Sequence, residues 1–226
     1  MYSARRFHLR VRGDFACFTD SALRAERYSY DIPTPTALRG MCEQIHWREG
    51  LRWETEKIEL LAPIQRYTFF ANELKAFSNK PFDASDRSTI RASTVLIDVD
   101  YRVTVYLTLK NAHRYQEGEE TAILRKSEDM FERYVNKGKV ERDRPYLGLR
   151  EFVCDVQLAT DSDPKPIAWT QRLSRMPYDY LWEGPQSRIR NTVLEYTPYV
   201  DKGVVHVPAR DTVLNWYRDR GQHVPA

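Results

Sequence analysis

The sequence has few cysteines and no long hydrophobic run, and both absences narrow the class of protein. Its three cysteines, Cys17, Cys42 and Cys154, are widely spaced and form no Cys-x-x-Cys pair, so neither a disulfide framework nor a zinc site is predicted. No window approaches the run of about 18 apolar residues that a membrane-spanning helix needs, and the basic N-terminus lacks an apolar stretch of signal-peptide length. We therefore expect a reduced, cytoplasmic protein without membrane contact.

Motifs of nucleotide hydrolysis and of metal catalysis are also missing. The sequence contains no Gly-rich phosphate loop, nucleophile elbow, His-Glu-x-x-His motif or acidic metal cluster. We therefore expect no metal and no cofactor. Charge is nearly balanced, since 35 Lys and Arg residues face 32 Asp and Glu residues, a net charge of +3. The overall charge does not by itself indicate a nucleic-acid-binding protein, so the local placement of basic residues carries that question.

Hydrophobic periodicity predicts the fold class. A chain of 226 residues with 42% hydrophobic content is long enough to bury a core. Alternating and helical spacings predict, in this order, a strand over 7–12, a helix from Pro35, strands over 57–70 and 94–109, a helix over 121–135 and a strand over 146–158. This order matches a ferredoxin-like βαββαβ domain, the layout that RNA-recognition modules use. We predict an α+β fold, with this domain over residues 1–160 and a small β-rich region over residues 161–226.

The most informative local pattern runs from Tyr28 to Trp47. Its two prolines predict an extended segment, followed by a helix that begins near Pro35 with Thr34 as N-cap. Apolar residues then recur at helical spacing and predict one buried stripe, which consists of Leu38, Met41, Cys42 and Ile45. Arg39 and His46 lie off that stripe. The simpler interpretation is an amphipathic helix with a solvated face.

When metal and nucleotide motifs are absent, the remaining reactions are those that histidine, tyrosine and cationic side chains catalyse by themselves. Metal-independent RNA cleavage is the leading example. A general base takes the ribose 2′-OH proton, a general acid protonates the leaving 5′-oxygen, and cations stabilise the charge on the phosphate. His46 is the best candidate for one proton transfer, because its ordinary pKa lies near neutrality. The alternative is a helix-end histidine that caps a carbonyl group.

Five segments of the chain, within residues 7–153, resemble the Cas-five family of CRISPR-associated proteins, in the branch found in subtype I-C systems. The segments are GDFACFTD, ERYSYDIPTPTALRGMCEQIHW, ANELK, RASTVLIDVDYRV and KGKVERDRPYLGLREF. The resemblance implies a ferredoxin-like domain that cleaves CRISPR precursor RNA at the 3′ base of the repeat hairpin, without metal, and leaves a 2′,3′-cyclic phosphate. It also implies that the crRNA stays bound by its 5′ handle in a Cascade surveillance complex, with backbone and large subunits as partners. The family setting allows binding of double-stranded DNA as well.

The chain departs from the family pattern at the catalytic positions. That pattern has a tyrosine before the helix-end tryptophan, and a lysine and a histidine on the central strand, where this chain has His46, Thr104 and Tyr106. We hypothesise that His46 and Tyr106 form a proton-transfer pair, and that the missing cation comes from Lys110, His113 or Arg39. Because the lysine has no counterpart, the alternative is a non-catalytic subunit that holds the crRNA 5′ handle.

Basic and aromatic residues are the candidates for RNA contacts, because a groove that binds a phosphate backbone combines cations with stacking platforms. These candidates are Arg27, Tyr28, Arg39, Trp47, Arg91, Arg133, Lys137 and Arg144, and Thr104 on the central strand is a further, polar candidate. Each assignment has a structural alternative. Arg91 and Arg144 are equally suited to structural ion pairs, and Tyr28 is equally suited to anchoring a turn against the core. Basic runs in general also occur on solvated faces of helices and loops. A third interpretation is a generic RNA-binding module without preference for one hairpin.

Overall fold

The computed structural model describes residues 3–23, 26–74, 88–110, 115, 118–182 and 191–221. Within these ranges the helices are α1 (Pro35–Ile45), α2 (Glu119–Lys137) and α3 (Arg210–Asp219). The strands are β1 (Phe7–Ala16), β2 (Arg27–Tyr28), β3 (Leu51–Leu60), β4 (Gln65–Leu74), β5 (Ser88–Leu109), β6 (Asp155–Leu158), β7 (Gln171–Arg172), β8 (Met176–Trp182), β9 (Asn191–Tyr196), β10 (Tyr199–Val200) and β11 (Val204–His206). No described helix has the length and apolar character needed to cross a membrane.

A mainly antiparallel sheet organises the chain. Its strand order is β11-β3-β5-β1-β6, and β2 and β4 also pair with β5. Only the β2–β5 pairing within this sheet is parallel. Two further two-stranded sheets, β10-β7 and β8-β9, come from the C-terminal part of the chain. The predicted α+β class is confirmed at this level.

Helix α1 follows the prediction from its local sequence. Thr34 is the N-cap, and its hydroxyl accepts the backbone N–H of Ala37 at 3.2 Å. Pro35 begins the helix, where a missing amide donor costs nothing. The predicted stripe is buried in full, so the helix is held by burial of one face.

Three predicted element boundaries are wrong. The strand predicted over 7–12 continues to Ala16, with Gly13 paired to Val99 inside β1. The extended segment over 57–70 is two strands, β3 and β4, separated by residues 61–64. The strand predicted over 146–158 is reduced to β6, because the chain turns at Gly148. This glycine has a φ of +84°, and a Cβ atom there would lie 1.9 Å from the carbonyl oxygen of Cys17, so side chains are excluded.

Helices α1 and α2 lie on one face of the sheet, over a core of aromatic rings. The ring of Phe131 on α2 lies 4.2 Å from Trp53 of β3 and 5.1 Å from Phe7 of β1, measured between centroids. Phe7 and Phe131 are at most 3% exposed. Because offset and edge-to-face ring pairs add to the energy of burial, this cluster fixes α2 against the sheet.

The C-terminal part of the chain adds to the same structure. Strand β11 extends the main sheet by pairing with β3, and the backbone N–H of Leu60 donates to the carbonyl of Gly203 at 2.8 Å. The region predicted to be β-rich contains strands β7 to β11, and it also contains helix α3. The division of the chain at residue 160 stays a prediction.

Candidate active site

His46 lies at the C-terminal end of α1, where it is the capping residue. Its backbone N–H donates to the carbonyl of Cys42 at 2.9 Å, and its own carbonyl accepts the indole N–H of Trp53 at 3.2 Å. The backbone at His46 is extended, with a φ of −147° and a ψ of 116°. The chain therefore leaves the helix here in a fixed direction, which turns the imidazole inward toward β3 and β5.

The imidazole of His46 is buried beside a carboxylate. Its Nδ1 atom lies 3.0 Å from Oε2 of Glu141, while its Nε2 atom is buried and has no hydrogen-bond partner among the described residues. The side chain lines a small internal space with Trp53 and Leu107. Burial lowers the pKa of His46 below its ordinary value of 6.5, although the charge of Glu141 opposes this shift. The ring is therefore neutral at pH 7, with Nδ1–H donating to Glu141 and a lone pair on Nε2.

Basic and aromatic side chains surround the outer side of this histidine. The guanidinium of Arg142 lies 4.2 Å above the ring of Trp47, whose side chain is 37% exposed. The Tyr134 ring lies 6.0 Å from the His46 ring and 5.8 Å from the guanidinium of Arg133. Exposed Lys137 ends α2 one turn further on. We call Trp47, Arg133, Tyr134, Lys137 and Arg142 the helix-end surface.

Backbone hydrogen bonds hold the helix-end surface together. The backbone N–H groups of Glu141 and Arg142 donate to the carbonyls of Ile45 and Gln44, each at 3.1 Å. These bonds satisfy two carbonyls at the end of α1 that have no partner inside the helix. They also bring the loop after α2 to His46, so the structure places two predicted site residues, Trp47 and Arg133, on the outer side of it.

Tyr106 and Thr104 lie on the other face of the sheet. Leu107 lines the space beside His46, and adjacent residues of a strand point to opposite faces. The ring of Tyr106 lies 4.7 Å below the guanidinium of Arg6, and burial raises its pKa. Thr104 is 2% exposed, and its hydroxyl lies 3.0 Å from Nδ1 of His8. The structure therefore does not bring Tyr106 next to His46.

His8 is a polar residue of this second face that the sequence analysis did not select. It pairs with Thr104 in the β1–β5 register, and its side chain is exposed. The alternation of buried and polar residues in β1 indicated that His8 and its buried neighbour Phe7 point to different faces of the sheet. Which strand lies beside β1 in the sheet was not visible in the sequence.

Lys110, one of the candidate cations, lies at the end of the sheet that the chain enters after α1. Lys110 follows β5, is exposed, and donates its backbone N–H to the carbonyl of Gly50 at 2.8 Å. The register pairs Leu109 with Leu51, so Lys110 lies at the end of the sheet where β3 begins. Strand β3 itself begins a few residues after His46 in the chain. His113 lies outside the described residues.

Arg39 belongs to a buried ionic cluster around Asp179, which is 0% exposed. Arg39 Nη1 lies 2.8 Å from Asp179 Oδ1, Arg210 Nη2 lies 3.4 Å from Oδ2, and Arg52 also pairs with Oδ2. Burial alone raises the pKa of Asp179, but the positive charges of the arginines outweigh it and lower the pKa below its ordinary value. The cluster joins α1, β3, β8 and α3.

Further RNA-binding candidates lie on β2, on β5 and in the loop after α2. Arg27 and Tyr28 form β2, where they pair with Ser93 and Thr94. Arg27 lies 3.4 Å from Glu151, and the ring of Tyr28 lies 5.2 Å below the guanidinium of Arg66. Two further candidates are on β5 and in the loop after α2, namely half-buried Arg91 and exposed Arg144. Within the described ranges no group of three or more His, Cys, Asp or Glu side chains is suited to hold a metal ion.

Comparison with known proteins identifies relatives of this chain. A family model described as CRISPR-associated protein (Cas_Cas5) matches residues 7–205. A protein of Mannheimia succiniciproducens named CRISPR pre-crRNA endoribonuclease Cas5d is 33% identical, over 91% of this chain and 96% of its own length. A Thermus thermophilus protein of the same name is 36% identical, over 65% of this chain and 61% of its own length.

Solved structures are also similar. A crystal structure of a CRISPR-associated protein has a TM-score of 0.67 at 22% identity, and covers 93% of this chain and 95% of its own. A chain of a CRISPR RNA-guided surveillance complex has a TM-score of 0.53 at 17% identity, and covers 95% of this chain and 100% of its own. At these identities the similarity concerns the fold alone.

Proposed function

The chain belongs to the Cas5 family of CRISPR-associated proteins, in the subtype I-C branch, and on that premise we propose that it is a metal-independent endoribonuclease of CRISPR precursor RNA. It cleaves at the base of the repeat hairpin and keeps the crRNA bound by its 5′ handle as a Cascade subunit. The observation that carries this proposal is the relative named as a pre-crRNA endoribonuclease, which aligns with 91% of this chain at 33% identity.

The proposed fold of the RNA-binding part is ferredoxin-like. The order β6-β1-β5-β3, with α1 after β1 and α2 after β5, agrees with a βαββαβ arrangement in which both helices cover one face. The similarity in fold to a chain of a surveillance complex is consistent with binding to Cascade backbone and large subunits. Binding to double-stranded DNA is a separate part of the proposal, which the family setting motivates.

His46 is the proposed general base. Its neutral ring holds a lone pair on Nε2, and Glu141 fixes the tautomer by accepting from Nδ1–H. Nε2 takes the proton of the ribose 2′-OH, the 2′-oxygen attacks the adjacent phosphorus, and the P–O5′ bond breaks to give a 2′,3′-cyclic phosphate and a 5′-hydroxyl. For this step the ring has to become accessible, because Nε2 is buried in the RNA-free chain; bound RNA then supplies the partner that this atom lacks.

The positive charge and the second proton transfer have separate candidates. The proposed cations that stabilise the phosphate charge are Lys110, at the end of the sheet where β3 begins, and Arg142 of the helix-end surface. His113 remains a candidate. The predicted role of Tyr106, as the acid that protonates the 5′-oxygen, requires it to reach the same phosphate as His46, which the RNA-free chain does not allow. Since Tyr106 lies on the opposite face from His46, its role has to be tested by its own variant.

The test incubates purified protein with its cognate repeat RNA in EDTA, beside a copy with a 2′-deoxy nucleotide at the cut site. We expect cleavage of the first RNA only. His46→Ala is expected to lower the rate by about 10²–10⁴, the usual contribution of a positioned acid or base, and Tyr106→Phe tests the second role. His206→Ala, at an exposed histidine of β11, is the control. Wild-type cleavage by His46→Ala contradicts the assignment of the base.

A second candidate function is a non-catalytic subunit that holds the crRNA 5′ handle. Thr104, at the position where the family pattern has a lysine, is buried and bonded to His8, so it brings no cation to the phosphate. Tight binding of the cognate repeat without cleavage of either RNA is the outcome that this candidate predicts.

A further inference from the structure

The C-terminal part of the chain contains a cavity that is remote in sequence from the helix-end surface. Its volume is about 490 Å³, and its lining includes Arg172, Arg175, Glu195, Trp216, Tyr217 and Arg220. These residues come from β7, the segment after it, β9, α3 and the position directly after α3. We call it the C-terminal cavity.

The charge of the C-terminal cavity favours an anion. Three arginines line it against one carboxylate, which leaves a net charge of +2. Arg175 uses its Nε atom to pair with Glu195 Oε2 at 3.0 Å, so this pair is internally compensated. Arg172 and Arg220 are exposed, and their planar guanidinium groups match a phosphate group.

An aromatic platform lies beside these arginines. Trp216 is 42% exposed although it is the largest side-chain type. Arg220, which directly follows α3, comes four residues after Trp216, and both side chains line the cavity. An exposed tryptophan next to a cation is the combination by which proteins bind single-stranded nucleic acid, with a base on the ring and a phosphate on the arginine.

The platform is held rigidly. The Tyr217 hydroxyl accepts the backbone N–H of Glu195 at 2.8 Å and donates to the carbonyl of Val193 at 3.3 Å. Val213 and Leu214 on the same helix are buried. Helix α3 is therefore fixed against β9, so the backbone that carries Trp216 needs little ordering when a base stacks on the ring, which favours binding.

We propose that the C-terminal cavity binds one nucleotide of a single-stranded RNA segment that flanks the repeat hairpin, with its base on Trp216 and its phosphate on Arg220 and Arg172. This inference rests on the proposed function, which supplies the RNA. It adds a second contact, on residues that the helix-end surface does not share. The contact assigns residues of the C-terminal part of the chain to RNA outside the hairpin.

The experiment measures binding of three RNAs, namely the cognate hairpin alone and the hairpin with a single-stranded extension on its 5′ or its 3′ side. Each carries a 2′-deoxy nucleotide at the cut site, and dissociation constants are compared at matched salt. We expect an extension to tighten binding by the wild type. Trp216→Ala and Arg220→Gln are expected to lose about tenfold in affinity for that extended RNA and to bind the hairpin alone normally. The Arg220→Gln variant also lowers the salt slope by about 0.7.

Two further variants separate stacking and charge from general effects. Trp216→Phe retains a ring and is expected to keep most of the affinity. Arg218→Gln removes an exposed arginine of the same helix that pairs with Asn215 outside the cavity, and is expected to bind like the wild type. Thermal unfolding of each variant checks that α3 remains packed.

The outcomes distinguish the two proposals. If extensions do not tighten binding by the wild type, or if Trp216→Ala and Arg220→Gln bind extended RNA like Arg218→Gln, the inference about the cavity is overturned while cleavage of the repeat RNA stands. If the wild type neither binds nor cleaves its repeat RNA, both proposals are overturned.

Discussion

A single carboxylate oxygen, Oε2 of Glu141, holds both Nδ1 of His46 at 3.0 Å and the backbone N–H of Trp47 at 2.9 Å. Glu141 thereby fixes the tautomer of the imidazole and the direction of the chain that presents Trp47. The two residues that Glu141 contacts are the proposed base and an exposed aromatic ring of the helix-end surface. We propose Glu141 as a positioning residue, which acts on the reaction through His46.

Glu141→Gln is predicted to slow cleavage of the repeat RNA about tenfold or more, because a hydrogen bond to a charged group contributes about 1.5–3 kcal/mol. The charge of Glu141 raises the pKa of His46 against the effect of burial. Its removal should therefore move the acid limb of the rate–pH profile to lower pH. Glu132→Gln, on α2, is the control. An unshifted acid limb with a slower rate contradicts the positioning role.

Burial of His46 predicts a dependence of stability on pH. Its pKa in the folded chain is lowered from the ordinary value of 6.5. Above pH 6.5 the ring is neutral in both states; as the pH falls below 6.5 the unfolded chain binds the proton first, so the free energy of unfolding decreases until the pH passes the folded pKa. Urea denaturation across this range should show the decrease in wild type and in His206→Ala, and a smaller decrease in His46→Gln. Equal decreases in all three proteins contradict the prediction.

Arg142→Gln is predicted to weaken binding of the repeat RNA about 3- to 10-fold and to lower the salt slope by about 0.7, because a phosphate contact and a cation–π contact are both lost. Arg142 is chosen because its guanidinium lies 4.2 Å above Trp47. Fluorescence anisotropy at several salt concentrations measures both quantities. The control is Arg150→Gln in the same part of the chain, whose partner is Asp143; an equal loss in both variants argues against a specific helix-end surface.

Asp179→Asn is predicted to lower the free energy of unfolding by about 3–5 kcal/mol, because removal of one partner leaves buried positive charge uncompensated. Asp179 is 0% exposed and pairs with Arg39, Arg52 and Arg210. Chemical denaturation measures the loss. Asp129→Asn, at a side chain that is 75% exposed, should unfold like the wild type. If the Asp179→Asn variant unfolds like the wild type, Arg39 has no essential structural role and is again a candidate for RNA binding.

The sequence by itself determined the elements whose signals are local. Helix α1 follows from Thr34, Pro35 and a stripe at helical spacing, and α2 ends at Gly138, which has the left-handed conformation that glycine adopts at low cost. The long alternating strand β5 was visible for the same reason, since period two needs only neighbouring residues. The five segments that resemble the Cas-five family gave the family, and the match over residues 7–205 confirms it.

Only the tertiary structure decided which of these residues meet. Glu141 is 95 residues from His46 in the chain, and His8 is 96 residues from Thr104, so no local pattern pairs them. The hypothesis of a His46–Tyr106 pair placed Thr104 and Tyr106 on one face of β5, as period two requires. The sequence does not show toward which face of the sheet the end of α1 turns His46. The C-terminal cavity is the clearest case, since its arginines and tryptophan come from β7, the segment after β7 and the C-terminal end of α3, and they line one cavity only in the folded chain.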